Sequence, residues 1–257
     1  MKIIISPAKK MKENTDSLEP KGLPVFLAEA KKLKDRINGF NLEEQKALWA
    51  CSDRIAVHNS ERFKHMDPDR AGTPAILAYD GIQYTYMAPS VFEEGQLEYI
   101  EENLRILSGF YGVLRPMDAV VPYRLEMQAR LKMDGHKDLY GFWGDRIYKE
   151  IRDESGVIIN LASAEYSRCV ERFLGPEDMF ITCVFGEEEK GRIVQKGVYA
   201  KMARGSMVRY MAERNISDPE QLKGFRSGGY HFEEALSDRE KYVFIRDKSK
   251  DDMDRSK

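Results

Sequence analysis

Sulfur and imidazole are scarce in this sequence. Three cysteines, Cys51, Cys169 and Cys183, lie far apart without CxxC spacing. Neither a disulfide framework nor a thiolate metal site is expected from them, and reduced thiols are the default. Four histidines, His58, His65, His136 and His231, form no HExxH or other ligand spacing, so no metal and no cofactor is expected. No Walker-type glycine loop and no GxSxG elbow is present. Long apolar runs are missing too. Ile3–Ile5 stops at Ser6-Pro7, too short for a signal peptide, and no stretch approaches the ~20 apolar residues of a spanning helix. Nor is there an excess of one charge: 41 basic and 43 acidic residues leave a net charge of -2. That excludes a generally basic nucleic-acid coater but leaves room for a local basic cleft. A cytoplasmic protein, monomeric and unattached to membrane, is expected.

What is present is a chain of 257 residues, 42% hydrophobic, near the upper size of a single domain. Lys2–Ile5 predicts a buried strand. Helices are predicted from about Pro24 to Ile37, from Asn41 with Glu44 at capping-box spacing, and after Ser52. Ala75–Tyr79 predicts a strand. Ser90 and Glu93 predict the cap of a helix on which Leu97, Ile100, Leu104 and Leu107 share a face. Ala119–Met127 looks extended, 138–153 helical and Val157–Leu161 a strand. A helix after Ser163 and a strand hairpin around Glu187–Glu189 follow. A long helix from about Ala200 to Arg214 and strands near Tyr230–Phe232 and Tyr242–Ile245 complete the pattern. Such irregular interleaving predicts a mixed α/β fold, a central mixed sheet flanked by helices, rather than a clean doubly wound one. Residues 1–246 are expected to be one domain and 247–257 a charged, disordered tail.

Several segments place reactive groups at strand or helix ends. In SPAKK (6–10), Ser6 and Lys9 follow the first strand, where open α/β sheets gather ligands. A solvated Ser-Pro turn is the plainer alternative. LSGFYGVLRPMD (107–118) carries Gly109 and Gly112, and so the possibility of a helix–hairpin–helix-like element offering backbone N–H groups to phosphates. An ordinary helix C-cap at Gly109 is equally consistent. PYRLEM (122–127) puts Arg124 and Glu126 on one side of an extended segment. NLASAEY (160–166) turns from strand to helix, with Asn160, Ser163 and Glu165 at the turn. Residues 190–214 hold seven basic residues against Glu213. Lys201 and Arg204 share a helical face there, either as a solvated surface or as an anion site.

Taken in order, IISPAK, AILAYDGIQY, LRILSGFYGVLRPMDAVVPYRLEM, KDLYGFWGD, VIINLASAEY, YAKMARG and GFRSGGYHF resemble the YaaA family of bacterial peroxide-stress proteins, over residues 3 to about 233. The resemblance implies a role in hydrogen peroxide defence and in limiting iron-mediated damage. It also implies DNA binding through a positive cleft with a helix–hairpin–helix-like element, in a fold peculiar to the family. Lys10 and Lys12 depart from a family pattern that often has Thr and Asp there. Ala164 stands where Asp is frequent, leaving Glu165 as the acid of that turn.

Two functions are therefore carried forward. The first is DNA binding, weakly sequence-specific, through Lys9, Arg115, Arg124, Lys201 and Arg204. The second is an enzyme acting on a nucleotide, nucleoside or damaged base at Ser6, Lys9, Arg124, Asn160 and Glu165. A scaffold for a protein partner is a third, blander possibility.

Overall fold

The computed structural model describes residues 1–16 and 18–247. The remainder of the expected tail, 248–257, lies outside the described residues. In chain order the strands are β1 (Lys2–Ile5), β2 (Lys10–Met11), β3 (Thr73–Pro74), β4 (Tyr79–Asp80), β5 (Leu104–Ser108), β6 (Gly112–Leu114), β7 (Ala119–Val120), β8 (Val157–Leu161), β9 (Met179–Glu189), β10 (Arg192–Val194), β11 (Tyr230–Phe232) and β12 (Lys241–Arg246). The helices are α1 (Leu27–Asn38), α2 (Leu42–Trp49), α3 (Asp53–His65), α4 (Ala75–Ala78), α5 (Ile82–Met87), α6 (Glu94–Asn103), α7 (Leu139–Trp143), α8 (Arg146–Ile151), α9 (Ala164–Glu171) and α10 (Gly197–Glu213).

A central eight-stranded mixed sheet runs β11-β12-β9-β8-β1-β5-β6, with β10 paired to the far end of β9. Its middle five strands are parallel, and β6 and β11 close its two edges antiparallel. At the centre of the sheet β1, β5 and β8 are buried almost throughout because helices cover them, so alternation is not required there, whereas β9 alternates buried and less buried residues along its first half. Ile3, Ile4, Ile5, Ile106, Leu107, Ile158, Ile159 and Ile181 are all essentially inaccessible. Read along the sheet, the parallel strands go β5-β1-β8-β9-β12. The first strand is flanked by the second on one side and the third on the other, so connections leave in opposite directions at β1 and β8. A crevice opens outside the carboxyl ends of such a pair, where ligands of open α/β sheets bind.

The mixed sheet, the capping box of Asn41 and Glu44, and the strands at both ends match expectation. Other segments differ. Ala75–Ala78 forms one helical turn, and only Tyr79–Asp80 is extended. The amides of Ala75 and Ile76 donate to Asp118 O and Pro116 O, each at 2.9 Å, so this apolar run is held by a neighbouring loop and not by a ladder. The helix drawn through Leu107 ends at Asn103. Glu93 with Gln96, not Ser90 with Glu93, forms its capping box. Leu104–Ser108 then runs straight into the sheet beside β1, because pairing there satisfies its backbone while burying Leu104, Ile106 and Leu107.

The helix–hairpin–helix expectation fails at the same place. Gly109 lies in the turn between two strands and Gly112 opens the second of them, and both are buried. The amides of Phe110 and Tyr111 donate to Ser108 Oγ at 3.1 and 2.9 Å, so these turn donors are spent inside the molecule. The 138–153 helix is broken at Gly144, which has φ of +54°. Glu187–Glu189 lie within β9, and the hairpin turns at Lys190-Gly191 instead.

Candidate functional site: a cleft at the strand ends

The crevice outside β1 and β8 is a cavity of about 560 Å³. Five segments remote in sequence build it. The β1 exit supplies Ser6 and Lys9, the β4–α5 corner supplies Asp80 to Thr85, the 123–126 strap supplies Arg124 and Glu126, the β8–α9 turn supplies Ser163 and Glu165, and α10 supplies Lys201 and Arg204. Of the residues singled out in the sequence, Ser6, Lys9, Arg124, Glu165, Lys201 and Arg204 converge here.

Two do not. Arg115 lies at a separate small depression with Arg105, Asp118 and Glu150, and pairs with Glu150 at 3.3 Å. It directly follows β6, the edge strand of the sheet, outside the group of residues that line the cleft. Asn160 is 3% exposed and turned inward. It donates to Thr182 Oγ1 at 3.2 Å and accepts from the Ala162 amide at 2.9 Å, so it shapes the β8–α9 turn without lining the cleft.

Close backbone approaches set the geometry. At Gly109 a Cβ would lie 2.5 Å from Leu125 O, so the absence of a side chain lets the hairpin press against the strap that carries Arg124 and Glu126. The Tyr123 amide, on that strap, donates to Met11 Sδ at 3.4 Å. Beneath it, Tyr79, Tyr123 and Ser108 form a buried hydroxyl chain with O···O distances of 2.8 and 2.6 Å. Burial raises the Tyr79 phenol well above its usual range and Tyr123 to about 12, so both stay neutral. At the β1 exit, Ser6 Oγ accepts from the Ser163 amide at 2.9 Å and contacts Ser163 Oγ at 3.2 Å. Tyr84 donates to Ser6 O at 3.0 Å. These bonds tie the ends of β1 and β8 together. Ser163 occupies the N-cap position of α9, as expected, but without a side-chain capping bond.

Charge in the cleft is unevenly matched. Glu126 Oε1 lies 3.1 Å from Arg124 Nη2 and 3.4 Å from Lys9 Nζ. Neither contact is aligned as a hydrogen bond, and that oxygen is buried. Arg124 Nε and Arg204 Nε are likewise buried without a hydrogen-bond partner. Among the described residues no carboxylate lies within ion-pair distance of Lys201 or Arg204. Burial lowers the Arg204 guanidinium from its usual range. Glu165 accepts the Gln128 amide at 3.3 Å; burial raises its carboxyl, and that hydrogen bond opposes the rise. Five basic side chains, counting Lys10, face three acidic ones, Asp80, Glu126 and Glu165, an excess of two positive charges. No group of three or more His, Cys, Asp or Glu with metal-holding geometry occurs among the described residues. No helix among them is long and apolar enough to cross a membrane.

Sequence reasoning missed Tyr84, Ser163's bond to Ser6, and the α5 corner. Only the tight turn at Asp80-Gly81 hinted at the last. The packing of α5 on α10 could not be read from either segment alone.

Fold and site thus define an open α/β protein with a cleft at its strand ends whose lining carries more basic than acidic side chains. The sequence pattern of the peroxide stress protein YaaA family matches residues 1–236, and this chain belongs to that family. Relatives spanning nearly the whole chain occur in Desulfitobacterium hafniense (54% identical over 246 residues, 96% of this chain and 98% of the relative). Others are found in Agathobacter rectalis (52%, covering 96% and 99%) and Lachnoclostridium phytofermentans (49%, covering 97% and 98%). All three are designated UPF0246 protein.

Proposed function

We propose that this peroxide-stress family member binds DNA through the strand-end cleft, mainly by phosphate contacts and so with little sequence preference, and thereby helps to limit iron-mediated oxidative damage. The observation that carries this reading is the meeting of Lys9, Arg124, Lys201 and Arg204 on one concave surface, with Lys201 and Arg204 lacking carboxylate partners among the described residues. Unpaired cations in a low-dielectric wall concentrate their field on an approaching anion. The effect on iron is indirect: shielding the DNA reduces damage at it without storing the metal.

The test is a salt titration on two unrelated duplexes. Lys9 and Arg124 already share Glu126, and Arg115 lies elsewhere. Two or three phosphates are then neutralised, so log affinity against log salt is expected to fall with a slope of roughly -2 to -3. Lys201→Ala should weaken both duplexes alike and flatten the slope by about one unit, because a phosphate contact carries no base information. Binding that ignores salt removes the proposal.

The cleft's depth favours a second reading, an enzyme acting on a nucleotide, nucleoside or damaged base. Its volume lies within the ~300–1,000 Å³ of small-ligand sites. Glu165, its carboxyl raised by burial, is the group suited to give and take a proton. Base or phosphate release from oxidised DNA by the wild type, abolished in Glu165→Gln, would establish it. No release over a day at high protein concentration would eliminate it.

A further inference from the structure

The floor of the cleft holds an unusual combination of unmet hydrogen-bonding groups. Two buried guanidinium donors, Arg124 Nε and Arg204 Nε, have no acceptor, and one buried carboxylate oxygen, Glu126 Oε1, has no aligned donor. Buried polar groups are nearly always satisfied, so three orphans in one cavity call for a ligand that presents both acceptors and a donor. The surplus of positive charge specifies the acceptors further. An excess of two cations matches a terminal phosphate, which carries close to two negative charges at neutral pH, better than the single charge of an internal phosphodiester. Shape agrees. Buried Tyr84, Tyr123 and Leu125 lie beneath the cleft, while Lys9 is well exposed and Lys201 exposed. A chain end fits such a site more readily than a strand running through it.

We propose that the cleft is a receptor for a nucleoside phosphomonoester, with the phosphate on Arg204 and Lys201 and a sugar hydroxyl or base amino group donating to Glu126. The proposal deepens the nucleic-acid reading above and rests on it for the choice of a nucleoside rather than any other phosphate ester. Two sources present the same chemistry: a free nucleotide, and a phosphorylated end at a DNA strand break. Arg204 is the anchor. In the empty protein its charge is largely buried without a counter-charge, a condition that destabilises a fold. The bound phosphate supplies that counter-charge and forms charge-assisted hydrogen bonds with the guanidinium fork.

The experiment measures full-length wild type and Arg204→Met by titration calorimetry and thermal melting. Ligands are deoxyadenosine 5′-monophosphate, deoxyadenosine, and one short duplex prepared with 5′-phosphate, 3′-phosphate or hydroxyl ends. For the wild type, the monophosphate or a phosphorylated duplex is expected to bind at least about tenfold more tightly than its unphosphorylated counterpart, the worth of one charge-assisted bond. Preference for the monophosphate identifies a free nucleotide as the source, and preference for a phosphorylated duplex identifies a strand end. Arg204→Met is expected to erase the difference while melting at a higher temperature than the empty wild type, an outcome a purely structural arginine would not give. If the variant misfolds, the wild-type comparison still decides. Equal, salt-sensitive binding of all duplexes, with no binding of the monophosphate, overturns this inference and leaves the phosphate-backbone reading standing. Binding of the monophosphate alone supports this inference and overturns the backbone reading. Binding of neither overturns both.

Discussion

At Asp118 the fold works against ionisation. The carboxyl is 6% exposed, and burial raises it to about 6, although the Arg115 amide donates to it at 2.8 Å and the Arg115 and Arg105 charges oppose the rise. Glu101 nearby adds to it. An unfolded aspartate titrates near 3.9, so the folded state holds this proton more tightly. The resulting stabilisation is fully present below about pH 4 and is lost as pH rises through about 6. A shift of that size is on the order of 3 kcal/mol. Asp118→Asn keeps an acceptor for the Arg115 amide and removes the charge. It should therefore raise stability at pH 7.5 by roughly 1–2 kcal/mol and flatten the pH 4–6 dependence in urea denaturation. A variant less stable than wild type at pH 7.5 would show that the carboxylate is needed charged. Cys51, by contrast, is pushed up by burial despite the nearby Arg124 charge, so it offers no thiolate at neutral pH and no nucleophile to the cleft.

Between elements, the joint of α5 and α10 fixes where Lys201 and Arg204 stand. A Cβ at Gly205 would lie 2.1 Å from Gln83 O and 2.9 Å from Met87 N. Both are backbone atoms and cannot swing aside. Gly205→Ala gains about 1 kcal/mol of helix propensity. Overpacking against backbone costs about 1–3 kcal/mol and in this contact outweighs the gain. The variant should lose stability on balance in thermal melts. It should also bind anions more weakly, because α10, which carries Lys201 and Arg204, must move away from α5, on which it packs beside the cleft. A more stable variant with unchanged binding would show that the two helices can part without consequence. The β5–β6 hairpin works in the same way. It supports the Arg124–Glu126 strap from behind through Gly109, whereas the sequence pattern suggested that it met DNA itself.

For the whole molecule, one hydrophobic cluster runs from the β1–β8 centre to Trp49 and Phe63 on one flank and to Phe225 and Phe244 on another. Trp49 and Trp143 are both fully buried, in α2 and α7. If residues 1–246 unfold as one domain, tryptophan emission and far-ultraviolet circular dichroism should give the same urea midpoint. Emission changing well before dichroism would show that the helical layer around the tryptophans is a separate cooperative unit.

Local pattern alone determined the strands with continuous β-branched runs, the cap at Asn41, the helix start after Ser52, the late strands and the class of the fold. Their signals are carried by neighbours in sequence, and the family is legible in the ordered motifs. Pattern also nominated most of the cleft, since strand ends and a basic helix face are visible in one dimension. Tertiary structure decided the rest. Leu104–Ser108 has helical spacing but pairs with β1, because an edge beside a buried strand satisfies its amides. Asn160 and Arg115 carry suitable chemistry in suitable motifs, yet one turns to Thr182 and the other lies at a different depression. Which cations share a cavity, and which of them keep a free charge, depends on distances between segments far apart in the sequence, such as those of Lys9, Arg124 and Arg204. No local preference encodes those distances; close packing of the whole core sets them.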